Sequence, residues 1–244
     1  MSKNKLSINY WLRKLYVSRI FQLIPIKKSF LRKLIFTSIF KSKHWVQKND
    51  SLAKKYISIS GHGSNINTKQ FQNLSSCFLD FLEKFSINSI LDMPCGDFLW
   101  MNQILKIKKI KYLGIDIVDD LIQKNKINYA SSNIDFKTFD ITNFVTDEKF
   151  DLVFMRDFFI HISNEDILRI LNNISQMNIK YFASENYEIY KNINTEIGKH
   201  RKVNLQIEPF NLEKPIFSFK DYEQDKYIYF YKKDILKKLK TIQI

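Results

Sequence analysis

The stretch Ile90-Leu91-Asp92-Met93-Pro94-Cys95-Gly96-Asp97 is an apolar run that passes into acidic and turn-forming residues. The apolar part predicts a buried strand, and Pro94 with Gly96 predicts a tight turn before a helix-length segment at 98–105. In open α/β sheets, ligands bind at the carboxyl ends of strands, where turns of this kind lie. We therefore expect the loop after this strand to bind a ligand.

A dinucleotide is a poor candidate for that ligand. A pyrophosphate is bound by backbone N–H groups of a loop rich in glycine, whereas here only Gly96 is available and Pro94 has no N–H group. An NAD-dependent oxidoreductase is therefore disfavoured, and a ligand without a phosphate fits the loop better.

Strand-like and helix-like segments alternate on both sides of the loop. The predicted strands are 89–93, 111–115, 134–136, 151–155 and 180–184, and the predicted helices are 69–85, 98–105, 119–128 and 164–175. This alternation predicts an α/β, Rossmann-like fold, in which a mostly parallel sheet of about seven strands carries helices on both faces. The tail differs, because alternating segments at 216–222 and 226–231 flank a short turn at 223–225 and predict a C-terminal antiparallel hairpin.

Three carboxylates follow successive predicted strands. Asp92 lies in the first loop, Asp116 after the second strand and Asp140 after the third. Asp116 is placed to accept hydrogen bonds from ribose hydroxyls, and Asp140 to accept from an adenine amino group, with Ile117 and Ile141 against the ring faces. A single acidic residue at a strand end is more often a helix cap or a surface charge. The ordered set of three favours a binding site.

At these residues the sequence resembles the class I S-adenosylmethionine (SAM)-dependent methyltransferases. The resemblance covers about residues 60–185 and is carried by the segments 91–97, 112–117, 139–141 and 150–157, with His161 where many members also have a histidine. It implies an enzyme that uses SAM and releases S-adenosylhomocysteine. Pro94 and Phe98 stand where the usual cofactor loop has two further glycines.

The resemblance also implies roles for individual residues of the cofactor site. Asp92 would hold the methionine amino group, and the backbone around Cys95 and Gly96 would meet the cofactor. Independently of the resemblance, a positive sulfur favours nearby backbone carbonyls or an aromatic face, and Phe98 or Trp100 is placed to supply such a face. The full predicted cofactor set is Asp92, Pro94, Cys95, Gly96, Asp97, Trp100, Asp116, Ile117, Asp140, Ile141, Met155 and Arg156.

Asp157 and His161 are the candidate catalytic residues. They are four positions apart, just beyond the fourth strand, and a hydroxyl acceptor needs a base within hydrogen-bond reach. His161 as a helix cap or a satisfied core histidine is the competing interpretation. Arg156 either holds a negative charge of the acceptor or pairs with Asp157.

Two further segments are candidates for acceptor binding. The long polar segment 185–215 has the length of a lid or binding loop, and it contains Arg201, the preferred residue for an anionic group, and Asn204. His62 lies in a turn-rich loop at 58–65 and could close over the cofactor. The alternatives are a solvated basic loop for the first segment and an ordinary turn position for His62.

The chain of 244 residues has a net charge of +14, and no acidic residue precedes Asp50. We expect a basic amphipathic helical extension at 1–50 and a catalytic domain at 51–244. Residues 1–48 would contact a membrane surface or a partner, or form helices that cover the catalytic domain.

No apolar run is long enough for a membrane span, and no secretory signal is evident. Cys77 and Cys95 fit neither a disulfide framework nor a metal site, so no metal and a cytoplasmic location are expected.

More locally, Trp45 and the segments 60–64, 94–101 and 198–205 resemble a bacterial subgroup associated with methylation of surface or capsular polysaccharides and their phosphorylated modifications. The resemblance implies O-methylation of a small-molecule or glycan acceptor, such as a sugar or a phosphorylated glycan precursor.

Methylation of RNA is a rival hypothesis that the net charge favours, although basic patches alone give nonspecific affinity. A non-catalytic scaffold that retains the fold is the third hypothesis. The oligomeric state stays open.

Overall fold

The computed structural model describes residues 28–45, 58–60, 69–221 and 225–238. His62, most of the predicted turn at 223–225, and residues 1–27 and 46–50 of the predicted extension lie outside these ranges. None of the helices in the described ranges is long and apolar enough to cross a bilayer.

Within the described residues the chain forms a seven-stranded sheet. Its strands are β1 (Ser89–Asp92), β2 (Lys111–Asp116), β3 (Ile134–Thr138), β4 (Phe150–Met155), β5 (Ile179–Tyr187), β6 (Phe217–Lys220) and β7 (Lys226–Lys232). Their order is β3-β2-β1-β4-β5-β7-β6, with the first five parallel and the last two joined as an antiparallel hairpin. The predicted mostly parallel sheet with a C-terminal hairpin is confirmed.

Helices cover both faces of this sheet. They are α1 (Lys28–Lys41), α2 (Lys69–Lys84), α3 (Leu99–Ile107), α4 (Asp119–Tyr129) and α5 (Asn164–Gln176). The residues of β1 alternate between two hydrophobic clusters, Leu91 facing the cluster that contains residues of α1 and α5, and Ile90 facing the cluster that contains residues of α2 and α3. Burial on both sides explains why the strands are nearly continuous apolar runs.

The strand order reverses at β1. The chain first moves outward through β2 and β3 on one side of β1, then returns to place β4 on the other side. In a parallel sheet the carboxyl ends of these strands lie at the same edge, and the diverging connections leave a crevice there. The loops that begin at Asp92, Asp116 and Arg156 therefore meet at one place.

Helix α1, the described part of the basic extension, packs onto the catalytic domain. Its lysines pair with acidic residues in the first turns of α4 and α5, where negative charge also complements the helix dipole: Lys33 with Asp119 at 2.6 Å, Lys41 with Asp120 at 2.9 Å and Lys28 with Glu165 at 3.7 Å. Its apolar residues Ile35, Phe36 and Ile39 are buried in the core. Helix α1 therefore covers the sheet domain. The predicted domain boundary at residue 50 stays a prediction.

Phe98 takes the place of a glycine at the start of α3. Its backbone is left-handed, with φ 62°, while its ring is buried against Tyr112, Tyr129 and Phe136 at centroid distances of 4.9 to 5.1 Å. A left-handed backbone costs a non-glycine residue about 1–2 kcal/mol, which the burial of an aromatic side chain offsets. The left-handed turn before α3 is thus formed by a residue other than glycine.

This balance predicts an unusual order of stability for two variants. Phe98→Ala should lower the free energy of unfolding by about 3–5 kcal/mol, because it leaves a cavity and keeps the backbone strain. Phe98→Gly removes the same ring but relieves the strain, so it should be more stable than Phe98→Ala by about 1 kcal/mol. Urea unfolding of both variants measures the difference, and an alanine variant that equals or exceeds the glycine variant would contradict the assignment.

Candidate active site

The crevice at the edge of the sheet is a cavity of about 1100 Å³, a figure that includes space open to solvent. The loops after β1, β2, β3 and β4 line it, and α1 forms a further wall. The cavity brings together most of the predicted cofactor and catalytic residues: Asp92, Pro94, Cys95, Gly96, Asp97, Trp100, Asp116, Ile117, Asp140, Ile141, Arg156, Asp157 and His161. Apolar side chains with a few convergent carboxylates form the lining that a site for a small organic ligand has.

The loop after β1 has no room for a side chain at Gly96. Its φ is +53°, and a Cβ there would lie 2.4 Å from Ser60 Oγ. Ser60 in turn accepts the backbone N–H of Asp97 at 2.9 Å, and the Asp97 carboxylate accepts from Ser58 Oγ and from the backbone N–H of Ile59, both at 2.7 Å. The segment 58–60 therefore closes over the loop, and Asp97 holds that segment in place.

Asp92 and Asp116 are buried carboxylates with few donors. Asp92 accepts the Tyr112 hydroxyl at 2.7 Å, and burial raises the pKa of Asp92 to about 7. Asp116 accepts the backbone N–H groups of Val118 at 3.1 Å and Gly96 at 3.3 Å, and burial raises the pKa of Asp116 to about 6. Both groups would gain from a ligand that brings a positive charge or hydroxyl donors into the cavity.

Asp140 also lines the cavity, but its carboxylate has several donors. One oxygen accepts the backbone N–H of Thr142 at 3.1 Å and the Thr142 hydroxyl at 2.8 Å, which caps a short 3-10 helix at Ile141–Asn143. The other oxygen accepts two N–H groups of Arg32, each at 2.9 Å. The sequence did not predict the partnership with Arg32, because 108 positions separate the two residues.

His161 is a neutral, oriented imidazole. Burial lowers its pKa to about 4, and its Nδ1 lies 3.0 Å from the carbonyl oxygen of Lys199. A carbonyl can only accept, so Nδ1 carries the hydrogen and Nε2 is left as the proton-accepting nitrogen. The indole of Trp45 stacks on the ring, with centroids 4.8 Å apart and planes 22° apart.

Asp157 is an ion-paired carboxylate with a left-handed backbone, φ 57°. Burial alone would raise its pKa, but Lys226 and Arg156 hold the pKa of Asp157 well below its usual range. Lys226 bonds directly to one carboxylate oxygen, and Arg156 Nη2 lies 3.7 Å from the other. At neutral pH this group is therefore a fixed negative charge and a weak base.

Three charged residues that the sequence did not single out hold this loop. Glu185 accepts the backbone N–H groups of Asp157, Phe158 and Phe159 at 2.9 to 3.2 Å, and burial raises the pKa of Glu185 to about 7. On the hairpin, Asp221 lies 3.3 Å from Arg156 and 3.0 Å from Lys226. The only hint in the sequence was that an acidic residue, Asp221, and a basic residue, Lys226, lie on either side of the predicted hairpin turn. A hairpin at the protein surface commonly has such residues too, so the pattern did not indicate a buried ion pair.

Aromatic side chains form the wall next to His161. Phe36 and Phe40 come from α1, Trp45 from the turn after it, and Phe158 from the loop after β4. The ring of Phe36 contacts both Trp45 and Phe158, with centroids 6.4 and 6.0 Å apart. Among the described residues, this end of the cavity is thus apolar apart from His161, Asp157 and Arg156.

Three predicted residues lie outside the lining of the cavity. Met155 is fully buried in the core because its neighbours Phe154 and Arg156 face the cavity and side chains alternate along a strand. Arg201 donates to the backbone carbonyls of Ile193 at 2.8 Å and Ile162 at 2.9 Å. Asn204 donates to the carbonyl of Ile189 at 2.9 Å. The last two residues stabilise the long segment, whose apolar residues Ile197, Val203, Leu205, Phe210 and Leu212 are buried.

Comparison with known proteins agrees with this geometry. The family described as "Methyltransferase domain" matches residues 90–178, which span β1 to the end of α5. Residues 90–178 are thus similar to that family. A protein of Invertebrate iridescent virus 6 named as a methyltransferase, 235L, is 39% identical over 85 residues, which make up 34% of this chain and 31% of that protein. The match thus spans about a third of the curated relative.

Solved structures extend the similarity of the methyltransferase domain to most of the described chain. Magnesium protoporphyrin IX methyltransferase from Synechocystis PCC 6803 with bound SAM superposes with a TM-score of 0.58 at 12% identity, covering 85% of this chain and 97% of that one. A SAM-dependent methyltransferase from Clostridium acetobutylicum ATCC 824 gives 0.51 at 14% identity, covering 66% and 91%. At these identities the structures establish the Rossmann-like methyltransferase fold.

The residues present in the methyltransferase domain fit SAM. Asp92 and Asp116 are buried carboxylates that line the cavity and are suited to an ammonium group and to ribose hydroxyls. This donor set lies within the residues that match the methyltransferase family, and it supports SAM as the cofactor of a SAM-dependent enzyme.

The raised pKa of Asp92 predicts a pH-dependent affinity for SAM. An ammonium group binds the ionised carboxylate, so affinity should fall as Asp92 takes up its proton below pH 7, by at least about tenfold between pH 7 and pH 5.5. Asp92→Asn should weaken binding at pH 7 and flatten most of this dependence, leaving the smaller contribution of Asp116. Calorimetric titration in buffers of different ionisation enthalpy measures both the affinity and the proton released.

The exposed Asp147 provides a matched control, since Asp147→Asn removes a carboxylate that does not line the cavity. An affinity for SAM that does not change between pH 5.5 and 7 would rule out ionisation of Asp92 as part of binding.

Proposed function

We propose that this chain is a SAM-dependent O-methyltransferase that acts on a sugar or a phosphorylated glycan precursor in the synthesis of bacterial surface polysaccharide, in the cytoplasm. The observation that carries the reaction type is the neutral His161, held with its proton-accepting nitrogen available in the cavity that the cofactor residues line. A hydroxyl acceptor needs such a base, because it loses a proton as its oxygen is methylated.

The cofactor end of the cavity would position SAM. Asp116 would accept hydrogen bonds from the ribose hydroxyls and Asp92 would hold the methionine amino group, while Ile117 and Ile141 contact the adenine faces. When bound, SAM supplies an electrophilic methyl group on a positively charged sulfur. Trp100 lines the same part of the cavity, and its aromatic face would favour that charge.

At the acceptor end, His161 would take the proton of the attacking hydroxyl at Nε2. Nδ1 stays bonded to the carbonyl of Lys199, and the stacked Trp45 keeps the ring plane fixed during the transfer. The imidazolium that forms would lie near the ionised Asp157, whose charge favours the protonated ring. Lys226 and Glu185 hold Asp157 and its loop in position and therefore act as positioning residues.

The shape of the acceptor end favours a ring with an apolar face and hydroxyl groups at its rim. The aromatic wall of Phe36, Phe40, Trp45 and Phe158 offers such a face, and sugars present C–H groups on one side of the ring and hydroxyls at the edge. The local resemblance around Trp45 and residues 94–101 supports a glycan, and the net charge of +14 supports an acceptor that carries phosphate.

Methylation of RNA gains no support from the described basic residues. The cations of α1 pair with acidic residues of the rest of the chain: Arg32 in a buried pair, and Lys28, Lys33 and Lys41 in exposed pairs. A non-catalytic scaffold would not need an oriented base beside a pair of buried carboxylates. Contact of residues 1–48 with a membrane surface stays a prediction, because residues 1–27 lie outside the described ranges.

The cofactor assignment is tested by calorimetric titration of the purified protein with SAM and with NAD. We expect saturable binding of SAM alone. Asp116→Ala should weaken SAM binding at least about tenfold, since it removes a charged acceptor of the ribose hydroxyls, whereas Asp147→Ala should leave it unchanged. Failure of the folded wild-type protein to bind SAM would make the scaffold hypothesis the best remaining one.

Replacement of His161 tests the reaction type. His161→Gln should lower kcat by about 100-fold or more with hydroxyl acceptors and change the affinity for S-adenosylhomocysteine by less than about threefold. His200→Gln is the matched control, because His200 lies beside His161 but is exposed and outside the lining of the cavity. The assay measures S-adenosylhomocysteine release with nucleotide sugars, sugar phosphates and RNA oligonucleotides.

Two outcomes of this assay would contradict the proposal. Turnover with RNA alone would replace the glycan by a nucleic acid, and an undiminished rate in His161→Gln would mean that the acceptor oxygen is already anionic and needs no base.

A further inference from the structure

The carboxylate of Asp140 has donors at all of its acceptor positions. A carboxylate offers about four lone-pair sites, two on each oxygen. Oδ1 accepts the N–H and the hydroxyl of Thr142, and Oδ2 accepts Nε–H and Nη2–H of Arg32, with the amide of Asn143 a further 3.4 Å contact. The side chain of Asp140 is only 8% exposed, so solvent does not compete for these sites.

Arg32 is held as firmly as its partner. Its side chain is 4% exposed, it places two N–H groups on Asp140, and its Nη1 lies 3.4 Å from the buried Asp166 in the first turn of α5. A charged pair of this kind is costly to open, because each buried group would lose its partner. Both Arg32 and Asp140 line the cavity at the end where Ile117 and Ile141 lie.

We infer that Arg32 of α1, and not the adenine amino group of the cofactor, is the partner of Asp140. The inference rests on the proposed cofactor, and it changes the role of one carboxylate in that site. Asp140 fixes α1 against the cleft, so the basic helix is a permanent wall of the adenine end, and the 6-amino group is not recognised by this carboxylate. Adenine is then selected by the apolar faces of Ile117, Val118, Leu121 and Ile141.

The same pair sets the acceptor end of the cavity. Phe36 follows Arg32 by one helical turn, and Phe40 follows by two, so the register that places Arg32 on Asp140 also places these rings in the acceptor wall. Asp140 is therefore a positioning residue for α1.

The test uses two ligands that differ at position 6 of the purine and at the adjacent N1. S-Adenosylhomocysteine carries a 6-amino donor and an N1 acceptor, and S-inosylhomocysteine carries a 6-oxo acceptor and an N1–H donor, so the comparison of wild type with Asp140→Asn isolates the contribution of Asp140. A site that receives the amino group on a carboxylate should discriminate strongly, because the oxo group leaves the carboxylate without a donor and repels it. Calorimetric titration of wild-type protein and Asp140→Asn with both ligands gives the ratio of the two Kd values.

We expect this ratio to change by less than threefold in Asp140→Asn, while the loss of the ion pair lowers the Tm. A wild-type preference for S-adenosylhomocysteine of more than tenfold that collapses towards one in Asp140→Asn would overturn the inference. Absence of any S-adenosylhomocysteine binding by folded wild-type protein would instead remove the proposed cofactor, so the two failures are distinguishable.

Arg32→Lys provides a second variant if Asp140→Asn does not fold. It keeps the charge but makes one contact where the guanidinium makes two, which frees an acceptor position on Oδ2. We expect the preference for S-adenosylhomocysteine to rise at least threefold over wild type, as the amino group gains access to Asp140. An unchanged or smaller preference would contradict the inference.

Discussion

The reversal of strand order at β1 is the constraint on which the site depends. Because β2 and β4 flank β1 in parallel, their carboxyl ends open at one edge, and the loops that carry Asp92, Asp116 and Asp157 converge there although 65 positions separate the first from the last. Short turns after each strand are then enough to direct these three side chains into one cavity. Phe98 illustrates how strongly this geometry is imposed, since its backbone adopts the left-handed turn despite carrying a ring.

Burial separates the acidic residues of this edge into different chemical roles. Among the described residues no lysine or arginine is bonded to Asp92 or Glu185, and burial raises their pKa values to about 7, whereas Asp157 bonds to Lys226 and keeps its charge. One side of the cavity thus has a carboxylate that ionises when a cation arrives, and the other side has a constant negative charge beside a neutral imidazole. The same functional group therefore has different ionisation behaviour on the two sides of the cavity because its partners differ.

Apolar runs and strand-end residues made much of this architecture predictable. The strands, the hairpin and the lining by Asp92, Gly96, Asp116 and His161 follow from local pattern and from the resemblance of the motifs. What could not be predicted depends on distant pairs: Arg32 with Asp140, and Asp221 with Arg156, join segments whose spacing along the chain carries no signal. The assignment of Met155 to the cofactor site could have been avoided from the sequence. Adjacent residues along a strand face opposite sides, so Met155 and Arg156 were not expected to line the same cavity.

The basic extension shows why charge alone does not identify a partner. Its described cations are directed at the first turns of α4 and α5, where acidic side chains and helix dipoles concentrate, and Arg32 reaches through to a carboxylate in the cleft itself. The exposed lysine pairs contribute little to stability one by one, but they orient a helix whose opposite face carries Phe36 and Ile39 into the core. The basic extension looks like a binding surface in the sequence. In the part that forms α1, it is instead a wall of the cavity.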